Sequence, residues 1–282
     1  MSPSPLADRS LPNPEHLADR PLPDHRHDSD KDSRGTVLVV AGSDRTPGAA
    51  LLAGTAALRV GAGKLQIATA PENRTVVGIH VPESLALDFT DVDALTAAAT
   101  RADAVVVGPG LLDADASLVR AVATALVEEQ SETVLVVDAG SLGRLPETLP
   151  PRTILMPNVD EAEELGVDGT GRDAVLAAAR RYRAVVAIRG VETWTASFEG
   201  DVHCDDTGNV GLAVSGSGDV LSGMVGGLAA RGADPLTAVL WAVHVHGLAG
   251  ERLAERVAPL GFLARELLDV VPGVLAELSD QR

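Results

Sequence analysis

The sequence contains one cysteine and few basic residues, and each shortage excludes a class of protein. Cys204 alone cannot form an intrachain disulfide or a cysteine-based zinc site, so we expect a reducing compartment. Lys and Arg number 23 against 40 Asp and Glu, which gives a formal net charge of -17. So acidic a chain lacks the basic footprint that nucleic acids and anionic membrane surfaces require, and neither is an expected partner.

Long hydrophobic runs and aromatic residues are also scarce. No uninterrupted apolar run approaches the roughly 18 residues that a membrane-spanning helix needs. The N-terminus lacks the apolar region of a secretory signal peptide, so we expect a cytoplasmic protein. Aromatic residues make up 2%, which leaves little for stacking, and a ligand would be held mainly by backbone, glycine and polar groups.

The 282 residues have a globular composition, with 45% hydrophobic and 22% charged residues. Residues 1–34 differ from the rest, because they hold six prolines followed by a charged run over 28–34. This composition predicts a flexible N-terminal tail, with about the first twenty residues flexible or loosely docked. No second core-sized segment follows, so residues 35–282 are predicted to form one domain.

From Gly35 onward, continuous apolar runs alternate with alanine- and leucine-rich stretches of helical spacing. Continuous runs suit strands buried on both faces, and the alternation predicts an α/β fold with a mostly parallel sheet and helices on both faces. The predicted strands are 36–41, 65–69, 104–107, 133–137, 153–156 and 184–188, followed by a hairpin of 193–198 and 200–204. The predicted helices are 48–60, 91–100, 115–130, 159–165, 172–182, 217–231, 236–256 and 262–279.

The most informative loop is Ser-Gly-Ser-Gly-Asp at 215–219, which opens a long helix. Ligands of such sheets bind beyond the carboxyl ends of the strands, where a glycine-rich helix start can form an anion hole. Gly216, Ser217 and Gly218 would supply its N–H groups. Asp219 could accept a proton from a substrate hydroxyl, or it could simply cap the helix. Helix N–H groups favour the charged carboxylate, so we expect Asp219 to be ionised at neutral pH.

Two further loops follow predicted strands. Gly110 ends the rigid turn Gly-Pro-Gly, which allows a close backbone approach to a ligand but is also a common turn. Asn158 and Glu161 lie at a strand-to-helix turn, where the amide can donate and accept hydrogen bonds. Glu161 could hold a hydrated Mg²⁺ near phosphates. The alternative is a capped helix rich in exposed acids.

The loop after the strand 184–188 reads Arg189, Gly190, Val191, Glu192 and Thr193. Arginine, a glycine turn and threonine suit a phosphate and its nucleoside, although an ordinary strand connection would look similar. In contrast, His244 and His246 stand two residues apart on a predicted helix. They should point in different directions, so we do not expect a metal pair there.

Taken together, these loops resemble the family of ADP- or ATP-dependent NAD(P)H-hydrate dehydratases, which belongs to the ribokinase-like superfamily. The most specific part lies within residues 39–64, where Gly-Ala-Ala-Leu-Leu precedes Leu-Arg-Val-Gly-Ala-Gly. The resemblance covers about residues 22 to 279. Its other motifs are at 108–110, 137–140, 157–161, 189–190, 208–213, 216–219 and 246–250. Of these, Gly-Ser-Gly-Asp is shared with ribokinase-like kinases generally.

The resemblance implies a metabolite-repair enzyme that restores hydrated NADH or NADPH. ADP or ATP, with Mg²⁺, would phosphorylate the extra ring hydroxyl, and phosphate would then leave. The residues implied for contact with the hydrated dinucleotide are Ala49, Gly110, Asn158 and Asp219. Those implied for the adenine nucleotide are 189–193 and Gly218. Asp219 is implied as the base that deprotonates the hydroxyl.

The resemblance also implies partners, and the sequence departs from the family at two positions. A separate NAD(P)H-hydrate epimerase chain and a homo-oligomer, a tetramer by family analogy, are expected. The family usually has His-Pro-Gly-Glu where this chain has Asn-Val-Asp-Glu at 158–161, and Lys where it has Arg189. Asn-x-x-Glu is typical of the sugar and vitamin kinases of the superfamily. The alternatives are therefore a kinase for a small alcohol such as a vitamin precursor, or a catalytically silent nucleotide-binding scaffold, which the retained Asp219 disfavours.

Overall fold

A mostly parallel sheet forms the centre of the molecule in a computed structural model that describes residues 17–25, 30–112, 115 and 117–280. The strands are β1 (Thr36–Val40), β2 (Lys64–Thr69), β3 (Ser84–Asp88), β4 (Ala104–Val107), β5 (Val134–Val137), β6 (Thr153–Leu155), β7 (Val185–Arg189), β8 (Thr193–Ala196) and β9 (Val202–Asp205). Within those residues they form one nine-stranded sheet in the order β3-β2-β1-β4-β5-β6-β7-β8-β9. Pairs from β3 to β7 are parallel, and β8 and β9 are antiparallel. The predicted sheet and its hairpin are confirmed.

Helices cover both faces of the sheet, as predicted. They are α1 (Pro47–Arg59), α2 (Arg74–His80), α3 (Val92–Ala99), α4 (Ser117–Glu128), α5 (Val159–Glu164), α6 (Arg172–Tyr182), α7 (Ser217–Ala230), α8 (Pro235–Arg256) and α9 (Ala264–Asp280). Helices α1, α7, α8 and α9 share one hydrophobic core, and α3, α4 and α6 share the other. Alternate residues of β1 serve the two cores, since Val37 and Val39 face the first while Leu38 and Val40 face the second.

Helices α1 and α7 pack with almost no side chains between them. A Cβ at Gly223 would collide with the carbonyl of Ala53, and one at Gly227 would lie 2.5 Å from the carbonyl oxygen of Ala57. Glycine inside a helix costs roughly 0.5–1 kcal/mol relative to alanine. At these positions glycine permits a backbone-to-backbone approach that no larger residue allows.

Two elements were not predicted, namely α2 and the edge strand β3. Strand β3 reads Ser-Leu-Ala-Leu-Asp, and its Leu85 side chain is 57% exposed. An edge strand pairs on one side only, so it lacks the continuous apolar run by which the central strands were recognised. No helix in the described part of the chain combines the length and the apolar character that a membrane crossing needs.

Part of the predicted flexible tail is docked on the domain. Leu17 is buried, and the indole Nε1 of Trp241 in α8 donates to the carbonyl oxygen of Arg20 over 2.8 Å. The Nε2 atom of His25 lies 2.9 Å from the carbonyl oxygen of Arg231. Residues 17–25 therefore contact the domain through a leucine side chain, a backbone carbonyl and a histidine side chain, and the flexibility of the tail stays a prediction. Residues 1–16, which precede this docked part, lie outside the described residues.

Candidate functional site

The N-terminus of α7 lacks a side-chain cap among the described residues. Gly216 precedes the helix with a φ of 91°, a left-handed conformation that favours glycine. The N–H of Ser217 donates to the carbonyl of Val214 over 3.2 Å, whereas the N–H groups of Gly218 and Asp219 belong to the first turn and have no intrahelical acceptor. Of the predicted donors Gly216, Ser217 and Gly218, Ser217 is thus engaged, and the two N–H groups without an intrahelical acceptor at the start of this 14-residue helix are those of Gly218 and Asp219.

An ion pair joins the ends of two strands beside that helix. Asp138 follows β5, and its Oδ1 atom lies 2.5 Å from Nη2 of Arg189, the last residue of β7. The second oxygen of Asp138 accepts a hydrogen bond from Ser222 in α7. A Cβ at Gly218 would lie 2.5 Å from Nη1 of Arg189, so the guanidinium lies against the first turn of α7. Asp138 lies within the 137–140 motif but had no predicted role, although it follows a strand like the residues that had one.

Asp219 lies in the first turn of α7 and is largely withdrawn from water. Burial raises the pKa of Asp219 to about 6; the negative charge of Asp138 raises it further, and the positive charge of Arg189 opposes both. Helix N–H groups favour the charged carboxylate, but desolvation outweighs their effect on the pKa. The expected ionised state holds at neutral pH, since a pH about one unit above the pKa leaves the carboxylate form in roughly tenfold excess.

Asn158 and Glu161 form a reciprocal cap at the start of α5. The N–H of Glu161 donates to Oδ1 of Asn158 over 2.9 Å, and the N–H of Asn158 donates to Oε2 of Glu161 over 2.8 Å. Oδ1 of Asn158 therefore caps the helix, as the alternative interpretation predicted. The amide Nδ2 makes no hydrogen bond within the described residues. Oε2 of Glu161 also lies 3.5 Å from Nη2 of Arg189, and burial raises the pKa of Glu161. This cap is thus joined to the ion pair.

Ala49 and Gly110, assigned to one ligand by the resemblance, are neighbours in the structure. The hydroxyl of Thr46 donates to the carbonyl of Gly110 over 2.5 Å, which ties the loop after β1 to the loop after β4. Gly110 has a φ of 64°, and a Cβ there would lie 2.5 Å from the Cβ of Ala49. Leu52 lies one turn further along α1, and its Cδ1 atom would be 2.5 Å from a Cβ at Gly216. The starts of α1 and α7 therefore lie side by side.

The run from Gly190 to Thr193 turns from β7 into β8 beside Arg189. Val191 is fully exposed, and the Nε1 group of Trp194 donates to Oε2 of Glu192 over 3.3 Å. Thr193 pairs directly with Arg189 in the antiparallel register. The turn is therefore accessible from solvent and adjoins the ion pair, as a nucleotide-binding run would require.

The described residues contain no group of three or more His, Cys, Asp or Glu side chains that could hold a metal ion. Mg²⁺ in phosphoryl-transfer sites is commonly held by one or two carboxylates together with substrate phosphates and water. The half-buried Glu161 carboxylate beside the α7 N-terminus fits such an indirect role. Its assignment to the metal stays a prediction.

This architecture is the ribokinase-like fold. A solved structure of a ribokinase-like superfamily protein from Enterococcus faecalis superposes with a TM-score of 0.85 over 95% of this chain and 96% of that one. Its sequence is 21% identical, so it shows the fold alone. More narrowly, the chain belongs to the NAD(P)H-hydrate dehydratase family, whose model matches residues 37–273. The predicted fold class and family are confirmed.

Relatives within this family are similar over nearly the whole chain. The ADP-dependent (S)-NAD(P)H-hydrate dehydratase of Xanthomonas campestris is 41% identical over 268 residues, or 88% of this chain and 91% of that protein. The ADP/ATP-dependent NAD(P)H-hydrate dehydratase of Bacillus subtilis, crystallised with ATP and Mg²⁺, has a TM-score of 0.80 and 31% identity. That match covers 94% of this chain and 97% of the other. The chain spans about half the length of bifunctional NAD(P)H-hydrate repair enzymes that it also matches.

Proposed function

We propose that this chain dehydrates hydrated NADH or NADPH, with ADP or ATP as the phosphoryl donor. The observation that carries the proposal is Asp219, a half-buried carboxylate whose pKa is raised to about 6, in an uncapped helix turn. A general base works best when its pKa lies near the operating pH. The ADP-dependent dehydratase of Xanthomonas campestris supports the substrate class, because it is 41% identical.

The proposed binding roles follow the two clusters of the site. Ala49 and Gly110, with the Nδ2 donor of Asn158, would bind the hydrated dinucleotide at the ends of β1, β4 and β6. The turn 190–193 and Gly218 would bind the adenine nucleotide. Arg189 supplies positive charge beside the phosphates while its own position is fixed by Asp138. The carboxylates of Asp138, Glu161 and Asp219 surround this guanidinium, so a polyanionic ligand would enter together with Mg²⁺.

The proposed chemistry begins when Asp219 takes the proton of the ring hydroxyl. The hydroxyl oxygen then bonds to the terminal phosphorus of the nucleotide, whose bridging P–O bond breaks. The N–H groups at the start of α7 stabilise the negative charge that develops on the phosphoryl oxygens. In the second stage the C–O bond breaks and its electron pair leaves with phosphate. Loss of a proton from the ring then restores the double bond.

Mg²⁺ fits this site without a protein cage. When bound, the ion offsets negative charge on the nucleotide phosphates. Glu161 would hold it through water, because its carboxylate already accepts a backbone hydrogen bond and lies near Arg189. Burial raises the pKa of Glu161, and a cation held near its carboxylate would favour the charged form.

The proposed physiological setting includes a second activity and further copies. Several relatives are bifunctional repair enzymes twice the length of the matched region, which supports an epimerase as the functional partner. The predicted homo-oligomer, the tetrameric state and the cytoplasmic location stay predictions.

The deciding experiment mixes the purified protein with hydrated NADH, Mg²⁺ and either ADP or ATP. Absorbance at the NADH band and released phosphate should rise together in a one-to-one ratio. Pyridoxal- and pyrimidine-type alcohols serve as the test of the kinase alternative. A stable phosphorylated alcohol, with no response to hydrated NADH, would overturn the proposal.

A further inference from the structure

A buried histidine in α8 contacts Ser217, at the glycine-rich start of α7. His246 lies in α8 and is 8% exposed, and its Nε2 atom is 3.1 Å from the hydroxyl of Ser217. Ser217 is itself 5% exposed and is the first residue of α7. The hydrogen bond therefore joins the middle of one helix to the first turn of another.

The same helix holds the other end of the loop that leads into α7. Nδ1 of His244 lies 3.0 Å from Oδ2 of Asp205, the last residue of β9. Oε1 of Glu251 accepts the N–H of Gly208 over 2.9 Å. Two histidines that point in different directions can thus hold segment 205–217 at its two ends, because that segment wraps along α8.

The imidazole of His246 is suited to a fixed hydrogen bond. Burial lowers the pKa of His246 to about 4; a backbone hydrogen bond to Ser217 opposes the shift, and the positive charge of Arg189 adds to it. The ring therefore stays neutral throughout the pH range in which Asp219 titrates. No side chain from the described residues caps α7, so few contacts orient its first turn. The contacts of Ser222 with Asp138 and with the Gly218 carbonyl hold one side of that turn, and His246 holds the other.

We infer that His246 is a positioning residue, which fixes Ser217 so that the N–H groups of Gly218 and Asp219 meet the transferring phosphoryl group. The inference rests on the proposed function only for its kinetic consequence. His246 contacts the loop and not the reacting atoms, so it acts through Ser217. Loss of the hydrogen bond should loosen the first turn. The two N–H donors would then no longer be preorganised and would have to be ordered during the reaction.

The kinetic test compares His246→Ala, His246→Gln and Ser217→Ala. Removing one oxyanion donor typically costs on the order of 10²–10³ in kcat, and a loosened pair should cost less, about 10- to 100-fold. Both alanine variants should show this fall with KM for the nucleotide changed less than about threefold. The double variant should be no slower than His246→Ala, because the Ser217 hydroxyl has no partner to lose once the imidazole is gone. His246→Gln should recover most of the activity, because an amide can replace the Nε2 bond.

His244→Gln is the matched control, since it alters a buried histidine of the same helix that reaches β9. It should lower the melting temperature as much as His246→Gln while leaving kcat within about threefold of the wild type. If His246→Ala does not fold, Ser217→Ala removes the same hydrogen bond and leaves the core intact. Folded His246→Ala and Ser217→Ala proteins with wild-type kcat would overturn the inference, as would equal kcat losses in His244→Gln.

A readout independent of turnover separates this inference from the proposed function. Amide hydrogen exchange of residues 216–220 should speed up in Ser217→Ala and His246→Ala but not in His244→Gln. If the wild type fails to act on hydrated NADH, the proposed function falls, and faster exchange at 216–220 still supports the positioning role. Unchanged exchange in both alanine variants would refute that role whatever the activity.

Discussion

Asp138 and Arg189 form a buried ion pair that bridges two strands which are not neighbours in the sheet. Oδ1 of Asp138 lies 2.5 Å from Nη2 of Arg189, and β6 runs between their strands β5 and β7. Both partners also contact α7, at Ser222 and at Gly218 respectively. The pair therefore sets the electrostatic surroundings of Asp219 with two opposing charges, of which the Asp138 carboxylate raises its pKa more than the Arg189 guanidinium lowers it.

Asp219→Asn should abolish most of the activity and spare nucleotide binding. The amide keeps the shape of the carboxylate but cannot take the hydroxyl proton, and loss of a general base typically costs about 10²–10⁴ in rate. If Asp219 were only a helix cap, asparagine would be nearly as good, and turnover would barely change. Turnover and nucleotide affinity measured on one preparation decide between the two roles. Near-wild-type turnover would remove Asp219 from the mechanism.

The same variant should be more stable than the wild type at neutral pH. The pKa of Asp219 in the folded protein is raised to about 6, so its charged form opposes folding, by on the order of 1–3 kcal/mol above that pH. The wild type regains this stability as the pH falls from about 6 to 4 and the carboxyl is protonated. Thermal melts of both proteins at pH 8 and at pH 4 measure the gap, which should close at the lower pH. An equal stability gap at both pH values would contradict the raised pKa of the Asp219 carboxyl.

Arg189→Gln should move the acid limb of the activity profile to higher pH. Arg189 is the group that lowers the pKa of Asp219, so without its charge Asp219 is protonated at higher pH and the base is lost earlier. Arg189→Lys is the matched control, because it keeps the positive charge and should leave the limb close to pH 6. The measurement is kcat against pH for the three proteins. Superimposable profiles for Gln and Lys would show that Arg189 does not influence the base.

Asn158→Asp should weaken binding of the hydrated dinucleotide without destabilising the fold. Aspartate caps a helix as well as asparagine, so the hydrogen bond from the N–H of Glu161 survives. The substitution removes the Nδ2 donor and adds a negative charge, so KM for hydrated NADH should rise about tenfold or more. Asn158→His, the residue usual in the family, should keep a donor and retain activity. Unchanged KM in Asn158→Asp would place the substrate away from this side chain.

Deletions from the N-terminus should show a sharp boundary at residue 17. Removing residues 1–16 should leave the melting temperature unchanged, as their composition predicts. Removing residues 1–25 exposes the site of Leu17 and leaves the Trp241 indole without the Arg20 carbonyl. Full burial of a leucine contributes about 1.5–3 kcal/mol, so a clear fall in melting temperature is expected. Equal melting temperatures for the two deletions would mean that residues 17–25 contribute nothing to stability.

Sequence patterns were sufficient for the central strands and most helices. Val-Leu-Val-Val runs are buried on both faces of a parallel sheet, so they stand out, whereas β3 is half-exposed and does not. The glycine-rich start of α7 was equally visible, because closely spaced glycines at the start of a long helix favour an anion-binding turn.

The contacts between distant segments could not be read from the sequence. Asp138 and Arg189 are 51 residues apart, and Ser217 and His246 are 29 apart. Periodicity reports which face of an element is buried, but it does not report which polar groups meet at the end of the sheet. The raised pKa of Asp219 could not be predicted for the same reason, since its burial depends on those distant segments.

The close glycine contact between α1 and α7 fixes the distance between the starts of these two helices. Ala49 lies in the first turn of α1 and Asp219 in the first turn of α7, and the two helices touch where Ala53 meets Gly223. A methyl group added at Gly223 would collide with the backbone of Ala53 and push α1 and α7 apart. It would move Ala49 and Asp219 apart, although Gly223 lies one helical turn beyond Asp219.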